Sequence, residues 1–174
     1  MSSFQEAISA QREQLVTQMK SFPIVAAVLG PGEKDVTYLK RCQIRDTLVA
    51  QAVDAFFPED LVDPHSELPL LDQEELILAD RRVNLIFVLN TSEGPLAQLS
   101  AFARNLDITS KTTVLVPEEY YIPGETFPTD IMERYSNRWR FSPAELKRCD
   151  LVRECTSRAR LERLSNSPLL RSFS

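Results

Sequence analysis

Apolar residues along the chain fall into two alternating rhythms. Unbroken apolar runs occur at Ile24-Val25-Ala26-Ala27-Val28-Leu29, at Val83-Asn84-Leu85-Ile86-Phe87-Val88-Leu89 and over Thr112-Thr113-Val114-Leu115-Val116. Runs of this kind, without polar alternation, read as strands buried on both faces, as in parallel sheets covered by helices. Val53-Asp54-Ala55-Phe56-Phe57 reads as a further short strand closed by Pro58-Glu59-Asp60. Between the runs the spacing becomes helical. Over 35–52, Leu39, Ile44, Leu48 and Val49 are interleaved with Lys40, Arg41 and Arg45. Residues 71–82 read as a second helix, with Asp72 as N-cap and Glu74 and Glu75 in the first turn. Residues 95–105 read as a third, with Pro95 at its first turn.

The two ends follow the same logic. Phe4, Ile8, Leu15 and Met19 keep helical spacing over 4–20, and Pro23 stops that helix. Past Pro117 a loop leads to a short helix near 129–135 and to an edge strand at Arg138-Trp139-Arg140-Phe141. Ser142-Pro143-Ala144-Glu145 has the form of a capping box with proline at the first helical position, and opens a helix running to about 164. Strands alternating with helices predict an α/β fold: a doubly wound, mainly parallel sheet of four to five strands with helices on both faces, plus N-terminal and C-terminal helices. The expected divisions are 1–22 for the N-terminal helix, 23–141 for the α/β domain, and 142–174 for a C-terminal helix and tail packed on it.

Composition narrows the function classes. The net charge of −5 runs against a protein whose main ligand is nucleic acid, because such domains carry positive charge to meet phosphate. Cys42, Cys149 and Cys155 make neither a disulfide framework nor a zinc site, with His65 the only histidine; those in predicted helices read as small buried hydrophobes. No metal is expected. No apolar stretch is long enough to cross a bilayer and no signal-peptide pattern is present, so the expectation is a cytoplasmic protein with no membrane association.

In an open parallel sheet, ligands bind beyond the carboxyl ends of the strands near the point where the strand order reverses. That rule nominates the loops Gly30-Pro31-Gly32-Glu33-Lys34, Pro58-Glu59-Asp60 and Asn90-Thr91-Ser92-Glu93-Gly94. Gly30 and Gly32 are two of only four glycines, in a turn whose amides suit a phosphate or ribose. GxGxxG is absent and no cofactor is expected. Arg41 and Arg45 sit four apart on one helix face, spaced to grip phosphate, although arginines on a helix are ordinarily solvated. Asn90, Ser92 and Gly94 form a polar cradle at a helix start, with Gln98 one turn in.

The order of these segments, with Phe-Phe-Pro-Glu-Asp at 56–60, Glu-Glu-Leu-Ile-Leu-Ala at 74–79 and Leu-Ile-Phe-Val-Leu-Asn-Thr-Ser-Glu-Gly-Pro-Leu-Ala-Gln-Leu at 85–99, resembles the nucleoside 2-deoxyribosyltransferase-like superfamily. It is similar in particular to such domains in prokaryotic antiviral-defence effectors, including those of retrons. The likeness covers about 24–120. In that family a Ser-x-Gly-x-x-x-Glu-Leu loop and helix supply a carboxylate to the sugar anomeric carbon. Here Ser92, Gly94 and Leu99 match, and the glutamate position is Gln98; the family's acid before the third strand is displaced, with Asn84 there and Asp80 four residues earlier. A carboxylate can form a glycosyl ester or stabilise an oxocarbenium ion, whereas an amide does neither well but still hydrogen-bonds a ribose hydroxyl.

The resemblance therefore implies a nucleoside- or nucleotide-binding domain, catalytically degenerate, acting as a sensor or regulatory component. Two alternatives stand beside it. One is an active N-glycosidase or deoxyribosyltransferase on NAD or nucleosides, using Glu93, Glu59 or Asp60 as the carboxylate. The other is an interaction or structural subunit that forms a homo-oligomer, or holds a protein partner, through its terminal helices.

Overall fold

The computed structural model of the chain describes residues 5–10, 13, 17, 22–120 and 127–166. Five strands form one sheet: β1 (Val25–Leu29), β2 (Asp54–Phe56), β3 (Val83–Leu89), β4 (Thr112–Pro117) and β5 (Asn137–Phe141). Their order is β2-β1-β3-β4-β5 and every pairing is parallel. The chain is thus an α/β protein with a doubly wound parallel sheet. The order reverses between β1 and β3, which makes that crevice the switch point.

The apolar runs are buried on both sides, and successive residues divide between two cores. Ala26, Val28, Leu85, Phe87, Leu89 and Leu115 face one core with Ile44 and Leu48 of α1 (Tyr38–Ala50). Ala27, Leu29, Ile86, Val88, Val114 and Val116 face the other. There they meet Leu78 of α2 (Leu70–Ala79), Leu99 and Phe102 of α3 (Glu93–Phe102), Ile108 of α4 (Leu106–Thr109), and Ile131 and Met132 of α5 (Phe127–Glu133). Tyr135, fully buried beyond α5, donates its hydroxyl to Leu99 O at 2.7 Å, which satisfies the one polar atom that burial would otherwise leave unpaired.

The C-terminal region departs from one continuous helix. The capping box forms as its sequence predicts: Glu145 N donates to Ser142 Oγ at 3.4 Å, and Ser142 N donates to Glu145 Oε2 at 2.7 Å. The helix it opens, α6 (Pro143–Lys147), ends where Arg148 turns extended, and α7 (Asp150–Ser165) begins anew. Leu151, Cys155 and Ala159 of α7 pack into the same core as Ile44 and Leu48. Most of the apolar face of this highly charged helix is therefore buried inside the domain, with Leu161 left exposed.

Two helix starts moved and one helix is new. The second helix is capped by Pro69, not Asp72, because the first turn closes with Gln73 N on Pro69 O at 3.1 Å. The third starts at Glu93, two residues before Pro95. α4 was not anticipated; it is one turn capped by Asn105, whose side chain accepts from Asp107 N at 3.1 Å. Of the N-terminal helix, residues 5–10, 13 and 17 are helical and exposed, and the rest of 4–20 lies outside the described residues, as does the tail beyond 166. Among the described residues no helix is long and apolar enough to cross a membrane.

α1 ends in a strained turn. Ala52 has φ 60°, in the left-handed region where a Cβ costs about 1–2 kcal/mol. Arg163 of α7, itself 5% exposed, holds the turn by donating to Ala52 O at 2.8 Å and to Gln51 O at 3.3 Å. Ala52→Gly is expected to raise stability by roughly 0.5–1 kcal/mol, because the strain relieved exceeds the extra unfolded-state freedom of glycine. Chemical denaturation with an unchanged m-value checks this.

Candidate functional site

The three loops nominated by sequence all emerge at the carboxyl edge of the sheet, and side chains bind them to one another. Thr37 Oγ1, at the start of α1, and Thr91 Oγ1, just past β3, lie 2.7 Å apart across the switch point. Asp35 orients Thr37 by accepting from its N at 2.8 Å and its Oγ1 at 2.6 Å.

Arg41 is the hub of the loops after β1 and β2. It is 2% exposed. Its Nε and Nη2 donate to Val28 O at 3.1 and 2.8 Å, and Nη1 reaches Pro31 O at 3.4 Å. Its two Nη atoms grip Glu59 at 2.6 and 2.7 Å. The guanidinium also lies 4.1 Å from the Phe57 ring centre, with that of Arg45 at 4.2 Å. Arg41 is therefore buried rather than solvated, and its donors are occupied by protein partners. Arg45 pairs with its neighbour Asp46 at 2.8 Å. The structure brings neither arginine to an open anion site.

Glycine is needed at one of the three places the sequence singles out. A Cβ on Gly30 would meet Arg41 Cδ at 3.1 Å and Leu89 Cβ at 3.2 Å, so Gly30 makes room for the hub. A Cβ on Gly32 or Gly94 would meet nothing within 4 Å. Ser92 caps α3 in extended geometry without a side-chain hydrogen bond, so its hydroxyl is not spent on the helix start. Asn90 is 4% exposed and turns inward, its Nδ2 3.8 Å from Met132 Sδ and its N bonded to Leu115 O at 2.9 Å. Its side chain belongs to the core beneath the loop.

Glu93, Glu59 and Asp60 are the carboxylates the sequence offers to stand in for one at position 98. Glu93 and Asp60 are exposed, and Glu59 is held by Arg41. The carboxylate that does meet Gln98 is one the reading missed. Glu74 of α2 is 2% exposed and accepts from Gln98 Nε2 at 2.9 Å. In the sequence Glu74 is a first-turn acid that suits the helix dipole, but in the fold it shares the buried face of α2 with Leu78 four residues on. Its neighbour Glu75 accepts from Asn105 Nδ2 at 2.9 Å. A carboxylate in phase with an apolar stripe was the available signal.

Burial pushes the Glu74 carboxyl above its ordinary 4.5, the Gln98 hydrogen bond opposes that shift, and the charge of Glu59 adds to it. A buried carboxyl with an amide and no cation as its direct partner is costly to the fold, and such groups gather at functional sites. Asn84 and Asp80, at and before the start of β3, both have structural partners. Asn84 Oδ1 accepts from Val25 N at 2.9 Å, and Asp80 pairs with Arg82 at 2.7 Å. Among the described residues no group of three or more His, Cys, Asp or Glu is placed to hold a metal ion. No protein-family model matches the chain, and a search of curated proteins finds no similar sequence.

Two measurements follow. Gly30→Ala is expected to lose roughly 1–3 kcal/mol through overpacking, whereas Gly32→Ala, whose Cβ meets nothing, changes stability far less; paired thermal melts check the contrast. For Glu74, a raised folded pKa means stability that is full below the ordinary value and is lost as pH rises through the folded one. Glu74→Gln does not titrate. The stability difference between variant and parent should therefore move in favour of the variant from about pH 4 to about pH 7, read from denaturation midpoints across that range.

Proposed function

We propose that this chain is a nucleoside- or nucleotide-binding domain of the deoxyribosyltransferase-like kind, catalytically degenerate and working as a sensor or regulatory component. The observation that carries the reading is the pairing of Gln98, on the first helix after β3, with the buried Glu74 of α2. Gln98 is half-buried, and one side of its amide is tied to Glu74. The remaining amide atoms suit a sugar hydroxyl. An amide forms no glycosyl ester, so the pair supports retention of a ligand over its cleavage. The unspent Ser92 hydroxyl and the first amides of α3 lie on the same helix. A role in antiviral defence rests on the sequence resemblance alone.

The same pair favours a second reading, an active N-glycosidase in which Glu74 replaces the carboxylate absent at 98. Burial raises its pKa, the direction that favours the protonated form a general acid needs. One experiment separates the two. Titration calorimetry with NAD, ADP-ribose and a set of deoxynucleosides is run beside chromatography for released base. Binding without release, weakened about tenfold or more by Gln98→Ala, is the expected result. Base release that vanishes in Glu74→Gln assigns the glycosidase instead, and no heat with any compound overturns both.

A further inference from the structure

A groove of about 410 Å³ lies beneath β2 at the margin of the sheet. Parallel pairing sets its floor. Asp54 stands in register with Val25 and Val25 with Val83, while Phe56 stands in register with Ala27. Register neighbours in a parallel sheet point to one side, so Val25 and Phe56 face the core that holds Ala27 and Leu78. The groove opens where β2 extends beyond the cover of α2, between Phe56 and Ile77. Val25, Phe56 and Ile77 are left half-buried there, and Leu61 is 58% exposed. Asp54 is exposed beside them; Asp80, the other acid of the lining, is paired with Arg82 at 2.7 Å.

The N-terminal segment carries the matching surface. Phe4, Ile8, Leu15 and Met19 keep helical spacing, the anchor pattern of a helix that lies in an apolar groove. Residues 5–10, 13 and 17 are helical and exposed, and Ile8 is 50% exposed. Charge falls on the side the groove requires. Arg12, four residues from Ile8, flanks the stripe, whereas Glu6 and Glu13 fall on the opposite face, away from Asp54 and Asp80. Within one chain the helix is exposed and the groove is open at the same time, so the occupant comes from another copy. We propose that the N-terminal helix of one copy lies in the groove of a second, and the second copy's helix in the groove of the first. The result is an exchanged dimer with the same contact made twice. This dimer is independent of the nucleoside reading, because the groove lies at the first residues of β1, β2 and β3 and leaves the carboxyl edge open.

Light scattering and sedimentation of the full chain should give a mass twice its 19.8 kDa. Ile8→Glu and Leu61→Glu alter exposed side chains, one on each of the two surfaces, and circular dichroism should show both variants folded. Each should weaken the dimer about tenfold or more, because a carboxylate then meets apolar side chains without a partner. Mixing the two variants should restore dimer above the level of either alone, since the mixed pair keeps one contact in which an intact helix meets an intact groove. A monomeric parent overturns the proposal, whether its helix is free or folded onto its own groove. A Leu61→Glu dimer as tight as the parent also overturns it, and is the result expected of helices that pair only with each other. Mixing without recovery does the same.

Discussion

A buried guanidinium organises the working edge of this protein. Arg41 reaches from α1 across the end of β1, takes carbonyls from Val28 and Pro31, and closes on Glu59 beyond β2. Burying a guanidinium is costly unless its donors are met, so the loops that meet them are held to one arrangement. Gly30 is small because Arg41 passes against it, and Phe57 lies flat because two guanidiniums face it. The same residue that shapes the loops is thereby withdrawn from ligand chemistry.

Glu74 is the counterpart. Both side chains are 2% exposed, yet Arg41 has a carboxylate and backbone carbonyls, whereas the bond given to Glu74 comes from an amide. Protein interiors tolerate such asymmetry where it serves a task. The carboxyl edge thus combines a rigid frame around one charge with a second, buried carboxyl whose pKa burial raises.

The legibility of this chain follows its physics. Strands β1, β3 and β4 are legible because burial on both faces favours nearly unbroken apolar runs, and the order of loops at the carboxyl edge follows from parallel pairing. The capping box of Ser142 and Glu145 is local, and local chemistry is visible in sequence. What stayed hidden depends on long-range contact. Arg41 looked like any helix arginine until Glu59, eighteen residues away in the chain, was seen beside it. Gln98 was found by resemblance, but its partner lies twenty-four residues earlier on another helix. Helix starts were misjudged at Asp72 and Pro95 because the cap is chosen by the path of the entering chain and not by residue preference alone.

The sheet also ends abruptly at both sides. β2 is three residues long and begins at an exposed Asp54; β5 sets exposed Arg138 and Arg140 either side of a half-buried Trp139. An unpaired strand edge is a template on which another chain can add, and parallel sheets, which assemble slowly from distant segments, display such edges during folding. A short margin on one side and a cationic one on the other deny that template a flat, sticky register. Both margins of the sheet thus disfavour edge-to-edge strand addition, a safeguard separate from whatever its carboxyl edge does.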